Sequence, residues 1–360
     1  MIVIREAHEG DKAQVLARNA EVFGSAHATR VEELWHWRWD LNPQLTRPGY
    51  CGVVAEWRDQ IIGNLSLLPA GLFVRGEEVP SFWCVEMLVH TGLYRQALRD
   101  ERSAGGGRAQ QHAGVDRTAS RRQGIAEQIL NFAHADAILL GKHLSEGIRV
   151  VTIKVGFRDL DRSGYWIRHL SFTQRISRAV GRWIAPVIAV VPNAALGRVP
   201  QPERDVAIFE GDFDDTFDEL WEEARTTYPA ITLRDAKTLQ WRYRQRPDVK
   251  YIALTAWDAT RLRGYAIVRT FEKRRCVRGK IVDFLTAVDD RTTRRDLLLA
   301  SLAVLRNHDA DRVTCYASDG LAATALAETG FAPTKPPFQT CALGLDVPDF
   351  YGTAGDGDAD

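Results

Sequence analysis

Two groups of residues in this chain have the types and spacing for chemistry on an anionic, activated substrate. The first is the run Arg121-Arg122-Gln123-Gly124-Ile125-Ala126, directly before the apolar-periodic stretch Ala126 to Leu140. A glycine among small and cationic residues at a helix start lets backbone N–H groups approach an anion, and the helix dipole adds to the attraction. The run reads as a pyrophosphate cradle, or as a solvated helix start whose glycine allows close packing. The second is Glu86, the one acid in the apolar run Phe82 to Val89, which has the composition of a buried strand. A carboxylate there is either a general base or a salt-bridged acid.

Other reactive side chains point to less. Cys84 and His90 bracket the same strand, but a covalent mechanism needs a positioned His and a third, orienting group. A lone Cys in an apolar strand is usually core. His112 and His134 stand in no metal-like spacing, so no metal is expected.

The elements that must position these groups follow from periodicity. Ile2 to Ile4 reads as a strand, Asp11 to Val22 as a helix, and Val31 to Trp39 as a second helix, stopped by Asn42-Pro43. Gly52 to Glu56 and Ile61 to Leu68 are strands around the turn Arg58-Asp59-Gln60. Leu72 to Val74, a turn at Gly76, and Val79 to Val89 complete an antiparallel meander. A helix is expected over Ala126 to His143, then Ile148 to Val155 as a strand buried on both faces. Asp159 to Leu170 reads as a helix leading into Leu170-Ser171-Phe172. Between strand and cradle, Gln96 to Ser120 is rich in Arg, Gly, Gln and Ser and reads as a mobile surface loop. Two other readings have its arginines (Arg99, Arg102, Arg108, Arg117) closing over phosphates or a carboxylate, or the segment blocking the cradle.

The second half repeats the first. Trp37-Arg38-Trp39 with Pro43 recurs as Trp241-Arg242-Tyr243 with Pro247; Ile4 and its helix match Ile208 and Asp215 to Ala224; Gly63 matches Gly264; Val85-Glu86-Met87 matches Val282-Asp283-Phe284. Repetition on this scale means duplicated domains. The aromatic clusters read as seals of a domain core or of the seam between copies. The copies differ at the cradle: Val288-Asp289-Asp290-Arg291-Thr292-Thr293-Arg294-Arg295 has no glycine and two aspartates, a poor phosphate site.

A length of 360 residues suits two domains, and 45% hydrophobic with 26% charged residues is ordinary for a globular protein. Lys+Arg and Asp+Glu are both 47, which argues against nucleic acid as the main partner. Five scattered cysteines show neither zinc spacing nor a disulfide framework, as in reduced, cytoplasmic proteins. The start Met1-Ile-Val-Ile-Arg-Glu-Ala does not read as a signal peptide. The most apolar stretch, Trp183 to Leu196, is too short to span a bilayer and holds Pro186 and Pro192. It reads as a linker packed on a domain, or as an interfacial membrane contact; no integral membrane segment is expected.

The order strand, loop, R-x-x-G-x-A, helix resembles the acyl-CoA motif of the Gcn5-related N-acetyltransferases (GNAT), with Arg121, Gly124 and Ala126 on its key positions. It departs in one place, the intervening segment 96–120. With the repeat, the resemblance implies an α/β (α+β) class of two tandem GNAT-like domains, each a mixed, mostly antiparallel sheet flanked by helices. They would span 1–178 and 205–345, with a linker over 179–204 and a disordered tail over 346–360. The resemblance implies acetyl-CoA as co-substrate, held by Arg121, Arg122, Gln123, Gly124, Ile125 and Ala126 in the first domain only. Its pantetheine arm would lie between Phe82 to Val89 and Ile148 to Val155, with the thioester oxygen on backbone N–H groups near Leu88 and Val89. Glu86 would accept the amine proton, directly or through water. Tyr165 is the candidate proton donor to the leaving thiolate, although the family's usual tyrosine position is Ile167 here. The reaction implied is acetyl transfer to a primary amine of a small-molecule or sugar-like acceptor in a ternary complex. Two other readings stand: a Fem-type aminoacyltransferase, which needs a basic groove, and a non-catalytic binding or scaffold protein of the same fold.

Overall fold

A computed structural model describes residues 1–104, 124–135, 137–142, 144–160, 164–181, 183–196, 199–335, 340–347 and 350–351. In chain order its elements are β1 (Val3–Glu6), α1 (Lys12–Phe23), α2 (Ser25–Glu33), α3 (Trp35–Trp39), β2 (Gly52–Trp57), β3 (Gln60–Pro69), β4 (Leu72–Val74), β5 (Glu77–Val79), β6 (Ser81–Val89), α4 (Thr91–Ala104), α5 (Ile125–His134), β7 (Ile138–Lys142), α6 (Glu146–Val155), β8 (Arg158–Asp159) and β9 (Tyr165–His169). There follow α7 (Thr173–Val180), α8 (Ala185–Ile188), α9 (Val190–Ala195), β10 (Val206–Phe209), α10 (Asp215–Arg225), β11 (Ala230–Thr232), α11 (Ala236–Tyr243), β12 (Ile252–Asp258), β13 (Arg261–Lys273), β14 (Cys276–Thr286), α12 (Arg291–Asn307), β15 (Arg312–Tyr316), α13 (Gly320–Glu328), β16 (Ala332–Thr334) and β17 (Thr340–Leu343).

The chain forms two compact units. The first comprises Met1–Gly71, Val79–Asp159 and Thr340–Asp346; the second comprises Leu72–Glu78, Leu160–Gln339 and the described residues from Val347. Each has one seven-stranded sheet, in the order β1-β2-β3-β6-β7-β17-β8 and β10-β12-β13-β14-β15-β9-β16. The sheets match place for place, but the sixth strand comes from the far end of the chain in the first unit and from ahead of the unit's other main-sheet strands in the second. β17, the last strand, pairs with β7 and β8 in the first unit, and β9 pairs with β15 and β16 in the second. The boundary expected at 178 and the unit expected over 205–345 are therefore corrected: Leu160 onward goes with the second unit and Thr340–Asp346 with the first.

Local rules account for most of the frame. Arg58 and Asp59 have φ of +50° and +60°, the two left-handed residues of a tight hairpin whose twist matches its strands. In the first unit, Val53, Ala55, Ile62 and Leu65 bury against Ile125, Ile129 and Leu130 of α5, each large side chain contributing roughly 1.5–3 kcal/mol. A Cβ on Gly63 would stand 3.2 Å from the Leu88 carbonyl and 3.3 Å from Ile129; at Gly264 it would stand 2.7 Å from Thr286 and 2.9 Å from Leu297. Both glycines let a helix cross the sheet closely.

Several expected elements change type. The helix expected over Ala126 to His143 ends at His134, and Ile138–Lys142 is a strand. Ile148 to Val155 belongs to a helix, capped by the Ser145 hydroxyl and closed by Gly156 at φ +106°. Within Asp159 to Leu170, Tyr165–His169 is a strand, not a helix. Leu34 divides the second helix into α2 and α3. β4 and β5 do not extend the main sheet; with β11 they make a three-stranded sheet of the second unit. Residues 96–104 continue α4 and are not a loop; the rest of the segment expected to be mobile lies outside the described residues. The tail expected from 346 is ordered at Phe350 and Tyr351, both buried, where the Tyr351 hydroxyl donates to the Phe284 carbonyl.

Candidate active site

The chemistry-bearing residues of the first unit gather where β6 leaves β7. The two strands pair in parallel only from Ser81 with Ile138 to Cys84 with Gly141. Beyond Cys84, β6 continues to Val89 with β3 on one flank and, among the described residues, no partner strand on the other. Strand β6 also bulges here: Ser66 faces Val85 and Asn64 faces Leu88, so Leu65 alone opposes Glu86 and Met87. A bulge re-aims a side chain and sharpens the local twist. Glu86 takes the left-handed conformation, φ +55°, rare for a residue with a Cβ and found where the surroundings over-determine it.

Those surroundings are polar. The Arg38 guanidinium donates to the Glu86 carboxylate, with both side chains nine-tenths buried. Asn64 donates its amide to the Glu86 carbonyl at 3.1 Å, and the buried Tyr50 hydroxyl lies 2.9 Å from the Ser66 hydroxyl. Burial pushes the Tyr50 phenol well above its usual range, and the Glu86 charge adds to the shift. Arg38 was not foreseen as a site residue. A charge between two buried tryptophans, Trp37 and Trp39, was the available signal, because such a charge requires a partner.

The two expected backbone donors separate. The His90 N–H donates to the Ile62 carbonyl at 2.9 Å, which makes His90 with Ile62 a hydrogen-bonded pair. Antiparallel pairs alternate, so Leu88 with Asn64 is bonded within the ladder, whereas the Val89 N–H turns away from β3, toward the flank β7 has left. Leu88 is thus engaged in the ladder, and among the described residues the Val89 N–H has no strand partner.

Helix α5 begins at Gly124, which caps it in an extended conformation (φ −68°, ψ 156°) with no side-chain hydrogen bond. A Cβ on Gly124 would meet nothing within 4 Å. Ile125 is buried and Ala126 half-buried. Glu127 in the first turn lies 3.5 Å from Lys154. Arg121, Arg122 and Gln123 lie outside the described residues. The second strand of the expected cleft is corrected from Ile148 to Val155 to Ile138–Lys142.

The matched place in the second unit is filled from within. Asp283 is fully buried, accepting from Arg234 at 3.2 Å and from the Tyr243 hydroxyl at 2.8 Å. At the start of α12, the Asp290 carboxylate caps the Thr293 N–H at 3.0 Å and is held by Arg263 at 2.9 Å. Burial alone would raise the Asp290 pKa, but the Thr293 N–H and the Arg263 guanidinium outweigh it and hold the carboxyl below the usual aspartate range. Arg294 spans the Ala287 and Val288 carbonyls at 2.8 and 2.9 Å. The anion position at this helix start belongs to Asp290.

The remaining candidates separate from the cleft. Tyr165 is on β9 of the second sheet, opposite Tyr316 and Thr334, so the helix on which its role depended does not exist. The Cys84 thiol is pushed well up by burial, and His90 is engaged with the Leu93 N–H at 3.1 Å and with Glu21 at 3.2 Å. His134 meets the Ala137 carbonyl at 2.8 Å; His112 lies outside the described residues. Among the described residues no group of three or more His, Cys, Asp or Glu has a metal-holding arrangement, and no helix is long and apolar enough to cross a membrane.

Strand order, bulged β6, parting from β7 and a helix N-terminus beside that strand define the class: each unit has the GNAT-like fold. No family model matches the sequence, and no curated protein does. Among solved structures the chain is similar to a GCN5-related N-acetyltransferase from Anabaena variabilis, at 14% identity and TM-score 0.57 over 95% of this chain and 72% of that one. It is also similar to Saccharomyces cerevisiae N-myristoyltransferase with bound myristoyl-CoA, at 12% identity and TM-score 0.53 over 98% and 86%. A probable N-acyltransferase from Enterococcus faecalis matches at 10% identity and TM-score 0.57 over 95% and 72%. At these identities the likeness is one of fold.

Proposed function

We propose that the first unit is an acyl-CoA-dependent N-acyltransferase, moving an acetyl group from acetyl-CoA to a primary amine of a small-molecule or sugar-like acceptor. The observation that carries this reading is a pair of donor sets left open in the first unit among the described residues. They are the Val89 N–H beside the parting of β6 and β7, and the first-turn N–H groups of α5 behind Gly124, with no side-chain cap among the described residues. Such a helix start attracts a diphosphate. Ile125 and Ala126 would offer backbone N–H groups to it, and Arg121, Arg122 and Gln123 lead into the same turn.

When bound, the thioester supplies the activated acyl group; the remaining work falls to this chain. In this reading the Val89 N–H would donate to the acyl oxygen as negative charge builds there, and one such donor is worth about 10²–10³ in rate. Glu86 takes the proton of the incoming amine, and its ion pair with Arg38 fixes the carboxylate in place. General-base assistance of this kind contributes about 10²–10⁴. Solvent returns a proton to the leaving thiolate. The named activities of the similar structures support the reaction class and leave chain length to the assay.

Thermal unfolding with and without acetyl-CoA and longer acyl-CoA thioesters tests this reading. A ligand at a hundred times its Kd stabilises by about 2.7 kcal/mol, and Arg121→Glu or Gly124→Asp should remove the shift. No shift with any thioester, or an undiminished shift in Gly124→Asp, would overturn the assignment.

A further inference from the structure

The second unit carries a surface built the wrong way round for a soluble monomer. In α8 and α9 the small residues Ala185 and Ala189 are fully buried, while Trp183 (81% exposed), Val187 (74%) and Val191 (77%), with Ile184, Ile188 and Val190, face solvent. A helical segment folded only to stabilise its own domain places its large apolar side chains inward. The face is anchored to the rest of the second unit. Asn193 accepts from the Phe172 N–H at 2.7 Å and donates to the Thr173 hydroxyl at 3.0 Å, tying α9 back to the start of α7. Contiguous exposed apolar surface of this kind marks an interaction site.

What it meets is indicated by charge. Phe172, to which Asn193 ties α9, lines with Ser171 and with Ala179 of α7 a cavity of about 700 Å³ whose other walls are His169, Lys273, Arg274, Arg278, Arg312 and Asp311. Its single carboxylate, Asp311, is buried and tied to Arg278 at 2.6 Å, and Lys273 and Arg274 are exposed on the β13–β14 turn. In a chain of zero net charge, cations are here concentrated beside a Trp- and Val-rich face. A protein partner with an apolar patch needs no such pocket. An anionic bilayer uses both: apolar side chains and Trp enter the headgroup boundary while Lys and Arg meet lipid phosphates.

We propose that the face presented by α8 and α9, with the basic cavity beside it, docks this protein on an anionic membrane surface. The inference does not depend on the acyltransferase reading. Co-sedimentation of the full chain with vesicles tests it. Strong pelleting is expected with equal parts phosphatidylcholine and phosphatidylglycerol, and weak pelleting with phosphatidylcholine alone. Val187→Asp with Val191→Asp, at solvent-facing positions that a carboxylate can occupy, should cut partitioning by about tenfold or more. Replacing Lys273 and Arg274 by Gln should cost about fivefold for each cation lost. Brominated lipid should quench fluorescence in the native chain and measurably less in Trp183→Phe, a readout that does not require the aspartate variants to fold. No pelleting with anionic vesicles, or pelleting unchanged in Val187→Asp/Val191→Asp, overturns the proposal. So does a solution dimer that the same variant dissociates without any vesicle binding, which would assign the face to a second copy.

Discussion

The two units share strand order, bulged central strand and crossing glycine, and they diverge at two matched places. In the first, the bulge carries Glu86 paired with Arg38, and α5 starts at an uncapped glycine. In the second, Asp283 is locked by Arg234 and Tyr243, and α12 starts at Asp290 with Arg263 on its carboxylate. The fold therefore does not require an open helix start or a reachable acid. At the second helix start a resident carboxylate takes the first-turn N–H of Thr293, whereas at the first no side-chain cap does so among the described residues.

The largest expected effect follows from the exchanged strands. If the copies were independent, a chain ending at residue 178 would fold as the first unit. It lacks β17, whose Cys341 and Leu343 lie in that unit's core and whose backbone pairs with β7 and β8. Loss of cooperative unfolding by circular dichroism is expected for that fragment, and for the full chain with Thr340–Leu343 deleted. A fragment that unfolds cooperatively would show the exchange to be dispensable.

Substituting the matched acids sharpens the contrast between site and structure. Glu86→Gln should lower kcat by about 10² or more in a chain that still unfolds cooperatively, its amide oxygen keeping an acceptor for Arg38. Asp283→Ala should leave the buried Arg234 guanidinium without its carboxylate, at a cost of about 3–5 kcal/mol in chemical denaturation. Reversal of the two outcomes, with Glu86→Gln unfolding the protein and Asp283→Ala abolishing activity in a stable chain, would move the site to the second unit.

A Cβ at the matched glycines gives a smaller, graded effect. Gly264→Ala meets side chains at 2.7 and 2.9 Å and the Leu285 carbonyl at 2.8 Å, and overpacking of this kind costs about 1–3 kcal/mol. Gly63→Ala meets the Leu88 carbonyl at 3.2 Å and should cost less. Its stability is best read by urea denaturation, and its effect on the cleft by the thermal shift with acetyl-CoA. Equal costs at both sites would mean that α5 and α12 do not cross their sheets alike.

The duplication was legible in the sequence because the matched residues are spaced alike and each does one geometric job. The type of short apolar runs was not. Ile138–Lys142 has no period long enough to separate a buried strand from one more helical turn. Ile148 to Val155 is β-branched and reads as strand by propensity, yet Ile148, Val151, Thr152 and Val155 face inward at helical spacing and the other four are exposed. Ser145 and Gly156 then cap a helix. In Tyr165–His169 the buried residues are Trp166 and Arg168, a period of two too brief to outweigh the expected family order. At the site, Glu86 and Gly124 were readable by type. The Arg38 pairing, the engagement of Leu88 and the exchange of sixth strands depend on contacts distant in sequence, which no local pattern encodes.

The smallest effect concerns the charge that occupies the second helix start. The Asp290 pKa is lowered in the folded chain from its ordinary 3.8, so the ionised form is favoured by folding. Its stabilisation is fully present above the unfolded value and is lost as pH falls through the folded value. An N-cap carboxylate is worth about 1 kcal/mol. Asp290→Asn keeps the cap's shape and removes the charge, and should cost less than that at neutral pH, with the difference from wild type shrinking as acid protonates Asp290. Urea denaturation at a series of pH values measures this. A difference independent of pH would mean that cap geometry alone holds α12, and that the aspartate does not act as a resident anion there.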